Sequence, residues 1–143
     1  MIYLGSDLKN LGEAKMSTLN NLKILDFTTL IPGPFATMMM GDMGADIIKV
    51  ESPTRVDLVR AMGPFNHGSS TSHSFVNRNK RSISLDLKKQ KSIEIIKRLI
   101  LDFDIIIEQF RPGVMKRLGL DYESLKTINS NIIYCSITGY GQT

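Results

Sequence analysis

The strongest constraint on the fold is the run from Asp104 to Glu108, in which three consecutive isoleucines stand between two carboxylates. A strand with one solvated face alternates polar and apolar residues, whereas this run is apolar at successive positions. Strands buried on both faces have this composition in parallel sheets that lie between layers of helices. The run therefore predicts an α/β fold.

The rest of the chain repeats this pattern of strand and helix with short links. Apolar runs predict further strands at 22–27, 46–51, 82–85 and 131–137, and helical periodicity or capping residues predict helices at 32–40, 88–101, 114–118 and 122–128. Alternation of this kind implies right-handed parallel crossovers, so the expected architecture is a doubly wound, mostly parallel sheet.

Individual residues support the predicted helix boundaries. Pro32 suits the first turn of a helix, and Gly119 suits the position just past a helix end. Asp121 is expected to cap the following helix by accepting hydrogen bonds from first-turn N–H groups. Met38, Met39 and Met40 are expected to pack in the core rather than to bind a metal.

Residues 52–78 carry no periodic pattern, and a loop of this length is usually functional or mobile. His67 and His73 lie in it, but neither has metal-ligand spacing with another His or Cys, so we expect no metal and no chemistry there. The chain also has no GxGxxG or P-loop pattern. A nucleotide would therefore bind without those fingerprints.

Composition excludes several classes of protein. No apolar run approaches the roughly 18 residues of a membrane span, and the N-terminus lacks the order of a signal peptide. The single cysteine, Cys135, rules out an internal disulfide and is typical of the reducing cytoplasm. Because Cys135 lies in an apolar run, we expect a buried structural thiol.

The net charge of +4 is mild, and the cations are mixed with acids rather than clustered as in a nucleic-acid-binding arm. We therefore expect no nucleic acid partner. Lysines and arginines of the 88–101 helix are interpreted as a solvated face. Lys80, Arg81, Arg111 and Arg117 stand near predicted turns, where an anionic ligand is favoured.

Seven segments, in order and at similar spacing, resemble the N-terminal part of the family III CoA-transferases, also called the CaiB/BaiF family. They are Leu25–Phe27, Pro32–Phe35, Gly44–Glu51, Asn79–Ser82, Leu85–Lys88, Phe110–Met115 and Gly139–Gln142. The resemblance covers residues 19 to 142. It implies a Rossmann-like domain for residues 19–143 that is incomplete relative to the full family domain, and it leaves residues 1–18 as an extension without assigned function.

The resemblance also implies a coenzyme A site, with acyl-CoA as the substrate. Carried over by position, Leu85 and Leu87 flank the adenine, Lys88 lies near a phosphate, and Gln109, Phe110 and Arg117 line the groove. Arg111 and Lys80 are further candidates. Arg and Lys at strand ends suit the phosphates of CoA because they donate charge-assisted hydrogen bonds.

Two departures from the family pattern stand out. Ser52 occupies the position of an arginine that serves CoA in many members, so that contact is lost or comes from elsewhere, for example from Arg55. The family's catalytic aspartate lies beyond the glycine-rich turn at Gly139–Gln142, and the catalytic role is therefore assigned to no residue here.

Three interpretations remain open. The chain is part of a CoA-transferase or acyl-CoA racemase that works only with further chain, a stand-alone CoA-binding module, or an inactive remnant of a decayed gene. The resemblance implies interlocked subunits, so the expected partners are a second copy or a C-terminal chain that completes the fold. Transferase and racemase are not separated by these residues.

Overall fold

The computed structural model describes residues 17–142, which form one sheet with helices on both faces and a small hairpin. The strands are β1 (Lys23–Asp26), β2 (Asp46–Glu51), β3 (Phe65–Asn66), β4 (Ser69–Ser70), β5 (Lys80–Ser84), β6 (Ile105–Glu108) and β7 (Ile133–Ser136). The helices are α1 (Pro32–Asp42), α2 (Thr71–Val76), α3 (Gln90–Leu99), α4 (Val114–Leu118) and α5 (Tyr122–Lys126). Residues 1–16, which include most of the predicted extension, lie outside the described residues.

The main sheet has five strands in the order β5-β2-β1-β6-β7, and every pair in it is parallel. The chain builds outward from β1 through β2 to β5, returns through α3 to β6 on the other side of β1, and ends at β7. This is the strand order of a dinucleotide-binding fold. The predicted α/β class and the doubly wound parallel sheet are confirmed.

Alternate residues of each strand supply the two faces of the core. Leu25, Val50 and Ile106 face α3, α4 and α5, and they belong to the larger apolar cluster. Ile24 and Ile47 belong to a smaller cluster on the other face, against which Met40 of α1 packs. The triple isoleucine run is buried throughout because it lies inside the sheet, as its composition predicted.

The last strand corrects one expectation. Cys135 is exposed rather than buried. β7 is an edge strand, and the side that carries Cys135 and Ile133 is not covered by a helix within the described residues, so Ile133 is 58% exposed. An apolar sequence predicts burial only when a neighbouring layer exists to cover it.

The segment after β2 is more ordered than its composition predicted. A 3₁₀ turn at Leu58–Ala61 is followed by the β3–β4 hairpin and by α2, so little of the 52–78 region is structureless. The turns are set by side-chain caps, since Asp57 accepts from the N–H of Val59 and Ser70 accepts from the N–H of His73. Short capped elements of this kind leave no periodicity to detect.

Two helix predictions need smaller corrections. Met39 is 48% exposed, so only its neighbours Met38 and Met40 pack inward. Asp121 does precede α5, but its carboxylate accepts from the hydroxyl of Ser124 rather than from a first-turn N–H. Within residues 17–142, no helix is long and apolar enough to span a membrane, and no group of three or more potential metal ligands is present.

Candidate functional site

The strand order reverses between β1 and β6, and the loops that follow these two strands diverge there. The N–H of Phe27 still donates to the carbonyl of Ile107 at 2.8 Å, after which the chain after β1 turns into α1 and the chain after β6 turns toward α4. In open parallel sheets, ligands bind in the crevice outside the carboxyl ends of the strands at this point.

A cavity of about 580 Å³ occupies the crevice. Its walls are Pro32, the loop after β6 and the loop after β7, and they consist of Gln109, Phe110, Arg111, Pro112 and residues 137–141. The volume falls within the range of small-molecule sites. Three of the predicted CoA-site residues, Gln109, Phe110 and Arg111, are therefore brought together in one place.

Gly33 allows the loops of the crevice to approach one another closely. A Cβ at this position would overlap the side chain of Thr28 and lie 2.6 Å from Oε1 of Gln109. Oε1 of Gln109 is buried and has no hydrogen-bond partner among the described residues. A buried carbonyl without a donor is costly, and residues 17–142 supply no donor to this atom.

Phe110 and Arg111 divide the loop after β6 into an apolar and a charged part. Phe110 is half-buried and packs against the larger apolar cluster, and its N–H donates to Oε2 of Glu108 at 2.7 Å. Arg111 is exposed at the mouth of the cavity. The loop therefore presents a ring and a guanidinium side by side.

The predicted site residues after β5 lie farther along the same edge of the sheet. Leu85 is buried, Leu87 packs against the same cluster as Phe110, and Lys88 is exposed. β5 and β6 are separated by three strand spacings, or about 14 Å. CoA is elongated, so one molecule has the reach to contact both parts of the edge.

The predicted cations fall into two groups according to their partners. Lys88, Arg111 and Arg117 are exposed, and none of them forms an ion pair within residues 17–142. Arg117 lies beside the turn that starts α4, with its Nη1 3.6 Å from a Cβ built on Gly113. These three side chains retain all of their charged donors for a ligand.

Lys80 is used internally. Its ammonium donates to Oδ2 of Asp26 at 3.1 Å, to the carbonyl of Pro34 at 2.9 Å and to Oδ1 of Asn77 at 3.2 Å. Burial lowers the pKa of Lys80, although the Asp26 carboxylate opposes this shift. An ammonium has three N–H donors, and all three are occupied within the described residues.

Asp26 is the centre of a buried polar network that sequence reasoning missed. Its carboxylate accepts from the N–H and hydroxyl of Thr28, from the hydroxyl of Thr37 and from Lys80. The carbonyl oxygen of Thr28 in turn accepts a hydrogen bond from the ammonium of Lys49 at 2.7 Å. The network holds the β1–α1 loop against the sheet. Its signal in the sequence is a charged residue in each of two apolar strands, Asp26 at the end of β1 and Lys49 inside β2.

The same network reaches the segment after β2. Lys49 Nζ lies 3.7 Å from Oδ2 of Asp57, and both side chains are almost wholly buried. The other carboxylate oxygen of Asp57 accepts from the N–H of Leu30 at 3.1 Å. Asp57 thereby ties the 3₁₀ turn to the β1–α1 loop at the edge of the crevice.

Glu51 organises the carboxyl end of β2. Arg60 binds both of its oxygens, at 2.8 and 3.0 Å, and the hydroxyl of Ser82 donates at 2.9 Å. Burial acts to raise the pKa of Glu51, but the Arg60 and Ser82 contacts outweigh it and the pKa is lowered. Nε2 of His73 lies 4.0 Å from Glu51, and burial lowers the pKa of this imidazole.

The position of the family arginine is a tight turn in this chain. Ser52 Oγ accepts from the N–H groups of Thr54 and Arg55 at 3.3 and 3.1 Å, so its hydroxyl stabilises the backbone. The side chain of Arg55 is exposed on this turn. Arg55 lies at the same edge of the sheet as Lys88. It is the residue that the sequence analysis suggested as a replacement for the family's arginine.

Comparison with known proteins gives a consistent result. Residues 19–143 match the family described as CoA-transferase family III. The chain is 47% identical over 139 residues to succinyl-CoA:glutarate CoA-transferase of Homo sapiens, which covers 96% of this chain and 31% of that protein. It is 44% identical over 124 residues to acetyl-CoA:oxalate CoA-transferase of Acetobacter aceti, which covers 87% of this chain and 32% of that protein.

A solved structure agrees with these relatives. The crystal structure of a CaiB/BaiF family protein from Brucella suis superposes with a TM-score of 0.83 at 41% identity, over 90% of this chain and 35% of that one. The chain thus spans about a third of the length of the relatives that it matches.

Proposed function

The chain belongs to CoA-transferase family III, and we propose that residues 19–143 form the N-terminal, CoA-binding segment of an enzyme that transfers CoA from an acyl-CoA to a carboxylic acid. Enzymes of this family use CoA thioesters as substrates. Transfer is favoured over racemisation because the two curated relatives named above are both CoA-transferases.

The observation that carries the proposal is a set of three cations along this edge of the sheet that form no ion pair within residues 17–142. Arg111 lies at the mouth of the cavity, and Arg117 lies beside the turn at Gly113 that starts α4. Lys88 lies farther along the same edge of the sheet, after β5. Three cations without carboxylate partners in the described part of the chain suit a ligand with several phosphates, because each supplies charge-assisted hydrogen bonds.

The other proposed contacts are apolar or neutral. Leu85 and Leu87 flank the adenine, and Phe110 and Gln109 line the groove that holds the ligand. An apolar cleft with a few well-placed polar groups is typical of cofactor sites. Lys80 is excluded from the set, since its ammonium donors are occupied by Asp26, Pro34 and Asn77.

The transfer step requires a carboxylate nucleophile that attacks the thioester carbonyl, forms an acyl anhydride and releases the CoA thiolate. The resemblance places this aspartate beyond Gln142. We therefore propose that the described residues bind CoA and that further chain, or a second subunit interlocked with this one, supplies the nucleophile. The single cysteine supports a cytoplasmic location as part of the same proposal.

Calorimetric titration of the 143-residue chain with CoA tests the proposal, together with the variants Lys88→Ala and Arg117→Ala. Lys91→Ala is the matched control, because Lys91 is an exposed cation of α3. Loss of one hydrogen bond to a charged group corresponds to about tenfold or more in affinity. We expect saturable binding that each site variant weakens to this extent and that the control leaves unchanged.

Two outcomes would contradict the proposal. Binding that is insensitive to both site variants would overturn the residue assignments. A chain that is folded by circular dichroism but does not bind CoA would favour an inactive remnant.

A further inference from the structure

Glu108 is a buried carboxylate at the carboxyl end of β6, 3% exposed and without a cationic partner among the described residues. It lies directly before the loop that lines the crevice. We propose that Glu108 is a positioning residue that holds both loop walls of the CoA cavity in place. The inference rests on the proposed function, because it concerns the shape of that site.

The first wall is held through the backbone. Oε2 of Glu108 accepts from the N–H of Phe110 at 2.7 Å, two residues along the chain. This contact closes a tight turn directly after the strand. The turn directs Gln109 toward Gly33 and places Arg111 at the mouth of the cavity.

The second wall is held through a chain of side chains. The hydroxyl of Ser136, at the end of β7, donates to Oε1 of Glu108. Ser136 Oγ accepts in turn from Nε2 of Gln142 at 2.7 Å, and the N–H of Gly141 donates to the hydroxyl of Thr138 at 2.7 Å. The glycine-rich loop after β7 is thereby tethered to the end of β6.

The two oxygens of one carboxylate thus fasten two separate loops, and those loops form most of the cavity lining. Alanine at this position would release both loops together. Substitution of Ser136 would release only the second loop, because the contact with Phe110 does not involve it. No other side chain in the described part of the chain contacts both loops through its carboxylate in this way.

Geometry rather than charge is the contribution of Glu108. Burial raises the pKa of the Glu108 carboxyl. Burial also raises the pKa of Tyr134, and the nearby carboxylates of Glu108 and Asp121 raise it further. A glutamine has the same shape, can accept from the N–H of Phe110 and can donate to Ser136 Oγ. It therefore preserves both tethers without a buried charge.

The test compares Glu108→Ala, Glu108→Gln and the control Glu94→Ala, since Glu94 is an exposed acid on α3. CoA affinity is measured by calorimetry, and amide hydrogen exchange is measured at Phe110 and Gly141, whose N–H groups are the hydrogen-bonded ones in the two loops. We expect the alanine variant to lose affinity by about tenfold or more, as two tethers are lost. We expect the glutamine variant to restore affinity to within about threefold of the parent, and the control to change nothing.

Hydrogen exchange separates this inference from the proposed function. If the parent chain fails to bind CoA, the proposed function fails, but loss of protection at both loops in Glu108→Ala and its recovery in Glu108→Gln still support the tethers. Ser136→Ala, which retains the carboxylate, should lose protection only at Gly141 and not at Phe110. This variant serves as the test if Glu108→Ala does not fold. Equal losses in the alanine and glutamine variants, or protection unchanged in all of them, would overturn the inference.

Discussion

Lys80 Nζ lies 3.1 Å from Asp26 Oδ2, and the two side chains are 2% and 0% exposed. The pair joins an edge strand to the central strand of the sheet beneath α1. Removal of one member leaves the other charge buried without a partner, which is far more costly than loss of a surface pair.

Lys80→Met is therefore expected to lower the free energy of unfolding by about 3–5 kcal/mol. Urea titration of the 143-residue chain measures this loss. Arg81→Ala is the comparison, because its pair with Asp46 is solvated, with side chains 66% and 44% exposed. A change below about 1 kcal/mol is expected there, and similar losses in the two variants would contradict the structural role of Lys80.

Gly33→Ala is expected to destabilise the chain by about 1–3 kcal/mol, because the added Cβ overpacks the contact between Thr28 and Gln109. Gly139→Ala is the control, since a Cβ there meets no atom within 4 Å. Thermal denaturation compares the stability of the two variants, and only Gly33→Ala is expected to be less stable than the parent chain. Equal stability of the two would show that the β1–α1 loop moves freely away from the sheet edge.

The pKa of Glu108 is raised from 4.5 by burial, so the native state holds this proton more tightly than the unfolded state does. Its contribution to stability is present below pH 4.5 and is lost as the pH rises through the raised pKa. Glu108→Gln, which cannot ionise, should gain stability relative to the parent across this window. A difference that is constant or that shrinks with rising pH, measured by urea titration, would exclude this explanation.

Glu51 should show the opposite dependence. Burial acts to raise its pKa, but Arg60 and Ser82 lower it below 4.5, so its contribution is present above pH 4.5 and is lost as the pH falls. Glu51→Gln should therefore be more destabilising at neutral pH than in acid. Chemical denaturation at several pH values tests this, and a larger loss in acid would contradict it.

Cys135 is exposed on β7 and should react with a thiol reagent without denaturant. The expected rate is close to that of the unfolded chain, and Cys135→Ser should abolish the reaction. Reaction only after addition of denaturant would mean that this side of β7 is covered in solution.

The sequence predicted the parts of the structure that depend on local pattern. Continuous isoleucines predicted the buried strand 105–107, and the resemblance selected Gln109, Phe110 and Arg111, which do line one cavity. The positions of Lys80 and Cys135 depend on which strands become neighbours and which strand lies at the edge. Those are long-range properties that periodicity does not encode.

The buried polar network was missed for a related reason. Asp26 ends β1 and Lys49 lies inside β2, and the sequence pattern does not distinguish a buried charge from a solvated one at these positions. Their burial follows from α1 and the 3₁₀ turn closing over the same end of the sheet. The sequence shows the charged residues, but their burial depends on long-range contacts with α1 and the 3₁₀ turn.

The two outer strands differ in a way that matters for handling the protein. β5 carries the exposed Arg81, and a charge of this kind discourages the addition of further strands. β7 carries Ile133, Tyr134 and Cys135 without any charge, and its outer N–H and C=O groups pair with no other strand of residues 17–142. Concentrated solutions of the chain should therefore aggregate through the β7 edge. Ile133→Lys is the simplest substitution to keep the chain soluble.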